Sequence, residues 1–258
     1  MPTAKRHPNL SVVLARDSQK SEAPFMCPKC CAEVVLHKGS IKVHHFKHKP
    51  PVFCKRGEGE SEQHMGAKLA IYDALRNEPN VSGLELEKDF GISVADVFAF
   101  ISNVPVALEI QRSNLSVNDI TQRTENYHQL GIAVLWIALH RPELESEKYS
   151  PNAWEKWCHA AYFGRVYYWA GGQSLRPTHF DALTLHVAST EWYESGGEHR
   201  SAGGYDRVSK RYRRPNHGAV VTISQSFRAT NKDAFAKGTV SVPACRLFVD
   251  GQGTWWKK

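Results

Sequence analysis

The chain has 258 residues, a hydrophobic fraction of 41% and a net charge of +7, enough apolar material for one large domain or two small ones. No window reaches the roughly 18 unbroken apolar residues of a membrane span, and Met1 to Arg16 lacks the apolar stretch and cleavage site of a secretory leader, so the expectation is a soluble, cytoplasmic protein without a membrane partner. Residues 1–56 hold 11 Lys/Arg against 3 Asp/Glu and residues 199–258 hold 12 against 3, whereas residues 57–142 hold 6 against 12; basic ends suit a polyanion and an acidic middle suits divalent cations.

Residues 1–26 read as partly loose, with one edge strand at Ser11 to Leu14. Residues 27–56 are rich in Cys, His, Lys and Pro and bury too little apolar surface to fold without a metal. Cys27-Pro28-Lys29-Cys30 is a C-x-x-C knuckle, and His44-His45-Phe46-Lys47-His48 follows it. Two thiolates and two imidazoles would close a tetrahedral, structural zinc site. His44 and His48 meet the H-x3–5-H spacing, and His45 and His48 fall one residue short. Cys27, Cys30 and His48 are therefore firmer ligands than either His44 or His45, with Cys31 and Cys54 as substitutes. A cysteine cluster of this kind in a cytosolic chain favours metal over disulfides. Pro50-Pro51 and Gly57 to Gly59 read as a linker.

A helix capped by Ser61 comes next, with Ala67, Leu69, Ala70, Tyr72, Ala74 and Leu75 on its apolar side, ending at Asn77 and Pro79. Leu84 to Phe90 alternates as a half-buried strand; Ile92 to Ile101 and Val104 to Gln111 are two more. A polar helix spans Ser116 to Leu130 and stops at Gly131, and the unbroken apolar run Ile132 to Leu139 reads as a strand buried on both faces. The order predicts an α/β fold, a mixed sheet with helices on its faces. Beyond Pro142 the pattern weakens. Trp154 to Ala161 reads as a helix, Arg165 to Phe180 as a hairpin, Gly196 to Asn216 as a flexible Gly/Arg-rich stretch, and Val220 to Ser224 and Cys245 to Val249 as late strands. Expected divisions are an N-terminal zinc module (1–57), a core (58–142) and a basic α+β extension (143–258).

Acidic residues supply candidate chemistry. Asp96 lies in the second strand; Glu109 and Gln111 lie two apart in the third and so share a face. If these strands pair through the turn at Asn103, Asp96 sits near Glu109, and two carboxylates at a sheet end make a hard-oxygen site for Mg²⁺ or Mn²⁺ that activates water against a phosphodiester. Glu60, His64 and Lys68 recur at four-residue spacing on one helix face. Glu60 could help bind metal, His64 orient water or contact phosphate, and Lys68 balance phosphate charge. A solvated charge stripe is the plainer alternative. Near the C-terminus, Arg200 to Arg214 interleaves Tyr205 and Tyr212 with basic residues, a pattern that suits a single strand or a disordered charged loop.

Taken together, Cys27-Pro28-Lys29-Cys30, His45-Phe46-Lys47-His48, Glu60-Ser61 with His64 and Lys68, Ala95-Asp96-Val97, Glu109-Ile110-Gln111-Arg112-Ser113, Arg123, Tyr127 and Trp136-Ile137 resemble the competence protein CoiA-like family. The resemblance implies a restriction-endonuclease-like PD-(D/E)XK fold behind a zinc finger, linked to DNA uptake and recombination in bacteria. It implies Asp96 and Glu109 as Mg²⁺ or Mn²⁺ ligands, and His45 over His44 for zinc. Gln111 stands where many PD-(D/E)XK members have Lys; it can position water but carries no charge, and Lys68 is the candidate replacement. The expected function is a metal-dependent deoxyribonuclease acting on DNA, with a recombination or defence protein as a further partner. The alternatives are a non-catalytic zinc-containing DNA-binding or recombination accessory protein, and a zinc-stabilised protein-interaction module.

Overall fold

Residues 1–26, expected to be partly loose, supply three strands of a five-stranded antiparallel sheet. In the computed structural model, which describes residues 1–51, 54, 60–112, 115–238 and 240–257, strands β1 (Thr3–Arg6), β2 (Ser11–Leu14), β3 (Phe25–Met26), β4 (Glu33–His37) and β5 (His45–His48) take the order β2-β1-β3-β4-β5. Ser11–Leu14 is an edge strand, as expected. The Gly57 to Gly59 linker and Ser113 lie outside the described residues. Strands of two to five residues are too short for a periodicity to register in sequence. They hold together through one small core, with Met1, Ala4, Ala15 and Phe25 packed against Cys27, Val34, Leu36 and Phe46.

Helix α1 (Glu62–Leu75) begins where the cap predicts: the Ser61 hydroxyl oxygen accepts from the His64 amide at 3.2 Å. Strands β6 (Val81–Asp89), β7 (Val94–Ile101) and β8 (Val104–Gln111) follow as an antiparallel meander. The β7–β8 turn places Ser102 and Asn103 at φ 49° and 63°, the left-handed pair of a two-residue hairpin turn whose twist matches the strands. Helix α2 (Val117–Gln129) crosses over to β9 (Ala133–Ala138), which runs parallel to β8 and is buried along its whole length. Gly131, at φ +71°, allows the chain to leave the helix.

The sheet continues past Pro142. After α3 (Ala153–Ala161), β10 (Val166–Gly171) lies parallel to β9 and β11 (Ser174–Val187) antiparallel to β10. The small hairpin β12 (Thr190–Tyr193) and β13 (His199–Ala202) precedes β14 (Tyr205–His217), which closes the order β14-β11-β10-β9-β8-β7-β6. Much of the stretch read as flexible, Gly196 to Asn216, is therefore ordered strand; its signal was obscured because β14 is largely exposed, and an exposed strand needs no apolar alternation. Strand β15 (Val221–Thr222), the one-turn α4 (Ile223–Ser226), β16 (Phe227–Lys232), the hairpin β17 (Phe235–Lys237) and β18 (Val240–Val242), and β19 (Cys245–Asp250) complete the chain. β19 meets β9 at Leu247 and Val134 and carries β16 along its other side. One apolar core unites these elements with α1 and α2. Among the described residues no helix is long and apolar enough to cross a membrane.

Candidate active site and metal centre

The knuckle at Cys27 to Cys30 turns tightly: the Cys31 amide donates to the Cys27 carbonyl at 3.0 Å and the Lys29 amide to Cys27 Sγ at 3.4 Å. Across the turn, Cys30 Sγ lies 3.4 Å from His48 Nε2. Ligand atoms of Cys27, Cys30, His48 and Cys54 all fall within 4.8 Å of one another, and three thiols plus one imidazole suit a closed tetrahedral metal site such as a zinc site. His45, the expected ligand, stands outside this group. On a strand, residues three apart face opposite sides, so His48 turns inward with the buried Phe46 while His45 pairs across with His37 on the outer face. Cys54 takes the fourth place. Burial pushes the Cys27 thiol up to about 11 against the amide bonds that favour its thiolate, so a cation there would release a proton on binding.

The second cluster sits where β7 and β8 part. Their ladder runs from Ile101 and Val104 to Val97 and Leu108 and ends there. Asp96, the next residue, fills the fork: its Oδ2 accepts from the Ile110 amide at 2.9 Å and lies 3.0 Å from His64 Nε2. Lys68, buried on α1, brings its Nζ to 3.4 Å from Asp96 Oδ1 and 3.2 Å from Glu87 Oε1, and it pairs with Glu60 Oε1. Glu60, His64, Lys68 and Asp96 therefore converge; His64 and Lys68 share a face of α1, as their spacing suggests, while Glu60 lies just ahead of the Ser61 cap. Burial would raise the Asp96 pKa, but the Lys68 charge, the His64 hydrogen bond and Arg123 outweigh it and hold the carboxyl well below its ordinary range. Burial likewise opposes the charge on Lys68, and Asp96, Glu87 and Glu60 override it and raise its pKa.

Glu109 is fully buried and faces α2. Tyr127 donates its hydroxyl to Oε1 at 2.5 Å, and Arg123 pairs with Oε2 while reaching the Val94 carbonyl at 3.3 Å. Burial pushes Glu109 up to about 7, with Asp96 adding to the rise and Arg123 and Tyr127 opposing it. Gln111 pairs with Ala138 at the end of β8 and is half-buried.

Sequence reasoning missed Glu87. The run Leu84-Glu-Leu-Glu places it on the outer face by alternation, yet Leu86 and Glu87 are both buried. Glu87 has φ +52°, a left-handed conformation that is rare for a non-glycine residue in a strand, and the reversal turns its side chain inward. It lies between the Leu86–Val97 and Lys88–Ala95 pairs, opposite Asp96, and accepts from the Thr3 hydroxyl. Strain of this kind persists only where its surroundings enforce it, and a sequence pattern carries no sign of it.

Residues 13–56 match the family described as "Competence protein CoiA, N-terminal domain" and residues 60–165 match "Competence protein CoiA, nuclease-like domain". Together these cover more than half of the chain, which belongs to the competence protein CoiA-like family. It is 31% identical over 125 residues to the "Competence protein CoiA" of Bacillus subtilis (strain 168); the match covers 48% of this chain and 34% of that protein. No solved structure matches.

Proposed function

We propose that this protein is a Mg²⁺- or Mn²⁺-dependent deoxyribonuclease of the PD-(D/E)XK type with a restriction-endonuclease-like core at residues 58–142, acting in bacterial DNA processing, uptake or recombination. The observation that carries the reading is the convergence at the β7–β8 fork. Asp96 sits in that fork, with His64 and Lys68 brought to it by one face of α1 and Glu60, just ahead of the Ser61 cap, paired with Lys68. The fit to a divalent cation rests on charge. Four carboxylates, Glu60, Glu87, Asp96 and Glu109, face Lys68, Arg123 and the Met1 amino group. Glu60 meets Lys68 through Oε1 and the Met1 amino group through Oε2. Carboxylates that outnumber the cations beside them in a partly closed site favour a hard divalent cation. Asp96 and Glu109 would hold it, and when bound it would supply an activated water and neutralise phosphate charge.

The chain's own groups divide the remaining work. Lys68, kept protonated by its acids, delivers from α1 the positive charge that Gln111 lacks on β8. His64, against Asp96 Oδ2, is placed to hold or pass a proton at Nε2. Gln111 can orient a water by hydrogen bonding alone. Incubation of the protein with single-stranded, duplex and branched DNA plus Mg²⁺ or Mn²⁺ tests the proposal. Cleavage is expected, and Asp96→Ala and Glu109→Ala should abolish it while DNA binding survives. Cleavage undiminished in Asp96→Ala would refute the assignment.

One observation favours a second reading, a non-catalytic zinc-containing DNA-binding accessory protein. Glu109 is already matched to Arg123 and Tyr127, as a purely structural acid would be. Salt-dependent DNA binding with no cleavage under any of these conditions would select it.

A further inference from the structure

His45, displaced from the metal group, belongs to another feature. The outer face of β4 and β5 carries Val35, His37, His45 and Lys47, paired as Val35 with Lys47 and His37 with His45. The two imidazoles stack, centroids 5.2 Å apart and planes within 10°. His45 Nδ1 donates to the Val43 carbonyl at 2.9 Å, which fixes that ring in place. Around them opens a groove of about 780 Å³, rimmed by Lys20, Lys38, Lys42 and Lys49. Glu33, 2.6 Å from Lys49, is the acid among the lining residues. Ile41, 92% exposed, and the exposed Val35 also line the groove. Lys42 Nζ is 3.8 Å from Glu62, the first residue of α1, so the groove ends beside the helix that carries His64 and Lys68.

Lysines alone would suit any polyanion. A planar ring pair and apolar side chains set within them suit one whose flat faces are uncovered, which an unpaired strand offers and a duplex does not. We propose that this groove holds a single nucleic-acid strand, with a base laid against the His37–His45 stack and neighbouring phosphates on Lys20, Lys42 and Lys49. The inference rests on the reading that the acid cluster processes DNA, and it specifies the form of substrate presented to it.

Fluorescence anisotropy with a labelled 12-nucleotide oligo(dT) and a duplex of equal length tests this, with no divalent cation added and no chelator, so that the metal module stays intact. His37→Ala/His45→Ala should weaken oligo(dT) binding about tenfold, within the range of base–aromatic stacking, and duplex binding less than twofold, with metal content unchanged. Lys20→Gln/Lys42→Gln, on the exposed rim, should reduce the salt slope for the single strand by about 1.4; this variant decides the matter if the double histidine variant does not fold. Unchanged oligo(dT) affinity, or equal losses on both forms, would overturn the proposal. Wild-type strand binding that these variants weaken, without any cleavage, would leave the groove standing and remove the nuclease. Cleavage with strand binding indifferent to the groove would do the reverse.

Discussion

Replacing Lys68 with methionine keeps the length and volume of the side chain and removes its charge. Glu60, Glu87 and Asp96 then face one another in a site where Lys68 is 3% exposed, Glu60 8% and Glu87 7%. Removing one partner of a buried ion pair costs about 3–5 kcal/mol. Protonating one carboxylate at pH 7 instead costs about 4 kcal/mol, so the two routes agree in size. For a chain of this length the loss corresponds to a melting temperature lower by roughly 10 °C or more. A divalent cation can take the ammonium's place; at a concentration about a hundred times its dissociation constant it would return about 2.7 kcal/mol. The pH dependence has a definite sign. In the wild type the Asp96 pKa is depressed, so its contribution is present above its ordinary value and lost as pH falls through the folded one. Without Lys68, burial raises the acid instead, and the variant gains stability as pH falls from 7 toward 5. Thermal unfolding by circular dichroism at pH 5 and 7, with and without Mg²⁺, reads all three effects. A melting temperature within about 2 °C of wild type at pH 7 without Mg²⁺ would refute the electrostatic account, and a deficit that Mg²⁺ leaves untouched would refute cation replacement.

Other expectations follow from the same geometry. Cys54→Ser should weaken metal retention by about a hundredfold, roughly a quarter of the free energy of a structural zinc site, whereas His45→Ala should retain full metal content; metal analysis after dialysis distinguishes them, and the opposite pattern would restore His45 as the ligand. Burial, with His179 and Arg213 adding to it, lowers His159 to about 4, and its Nε2 accepts from the Phe180 amide at 3.2 Å. This neutral imidazole stabilises the fold above about pH 6.5, and up to about 3 kcal/mol is lost as pH falls toward 4. His159→Gln should flatten the acid side of the stability curve relative to wild type, and identical slopes would show that His159 is not the group responsible.

The elements that position the site were legible because they obey simple periodicities. Ser61 caps α1, Glu60, His64 and Lys68 recur at one turn's spacing, β8 ends where its apolar run does, and the run in β9 is apolar throughout because both faces are covered. Cys27, Cys30 and His48 followed from the spacing of a metal knuckle. What the sequence could not supply depends on contacts between distant residues. That Cys54 and not His45 stands beside Cys27, Cys30 and His48 depends on strand parity and on contacts between distant residues, neither of which spacing reports. Glu87 joins the acids only because one residue reverses its backbone inside a strand, against the alternation around it. Glu109 looked like half of a carboxylate pair, and the packing of α2 matched it to Arg123 and Tyr127 as well. Local order is encoded in neighbouring residues, but the charge each buried group meets is set by whichever elements the fold lays against it.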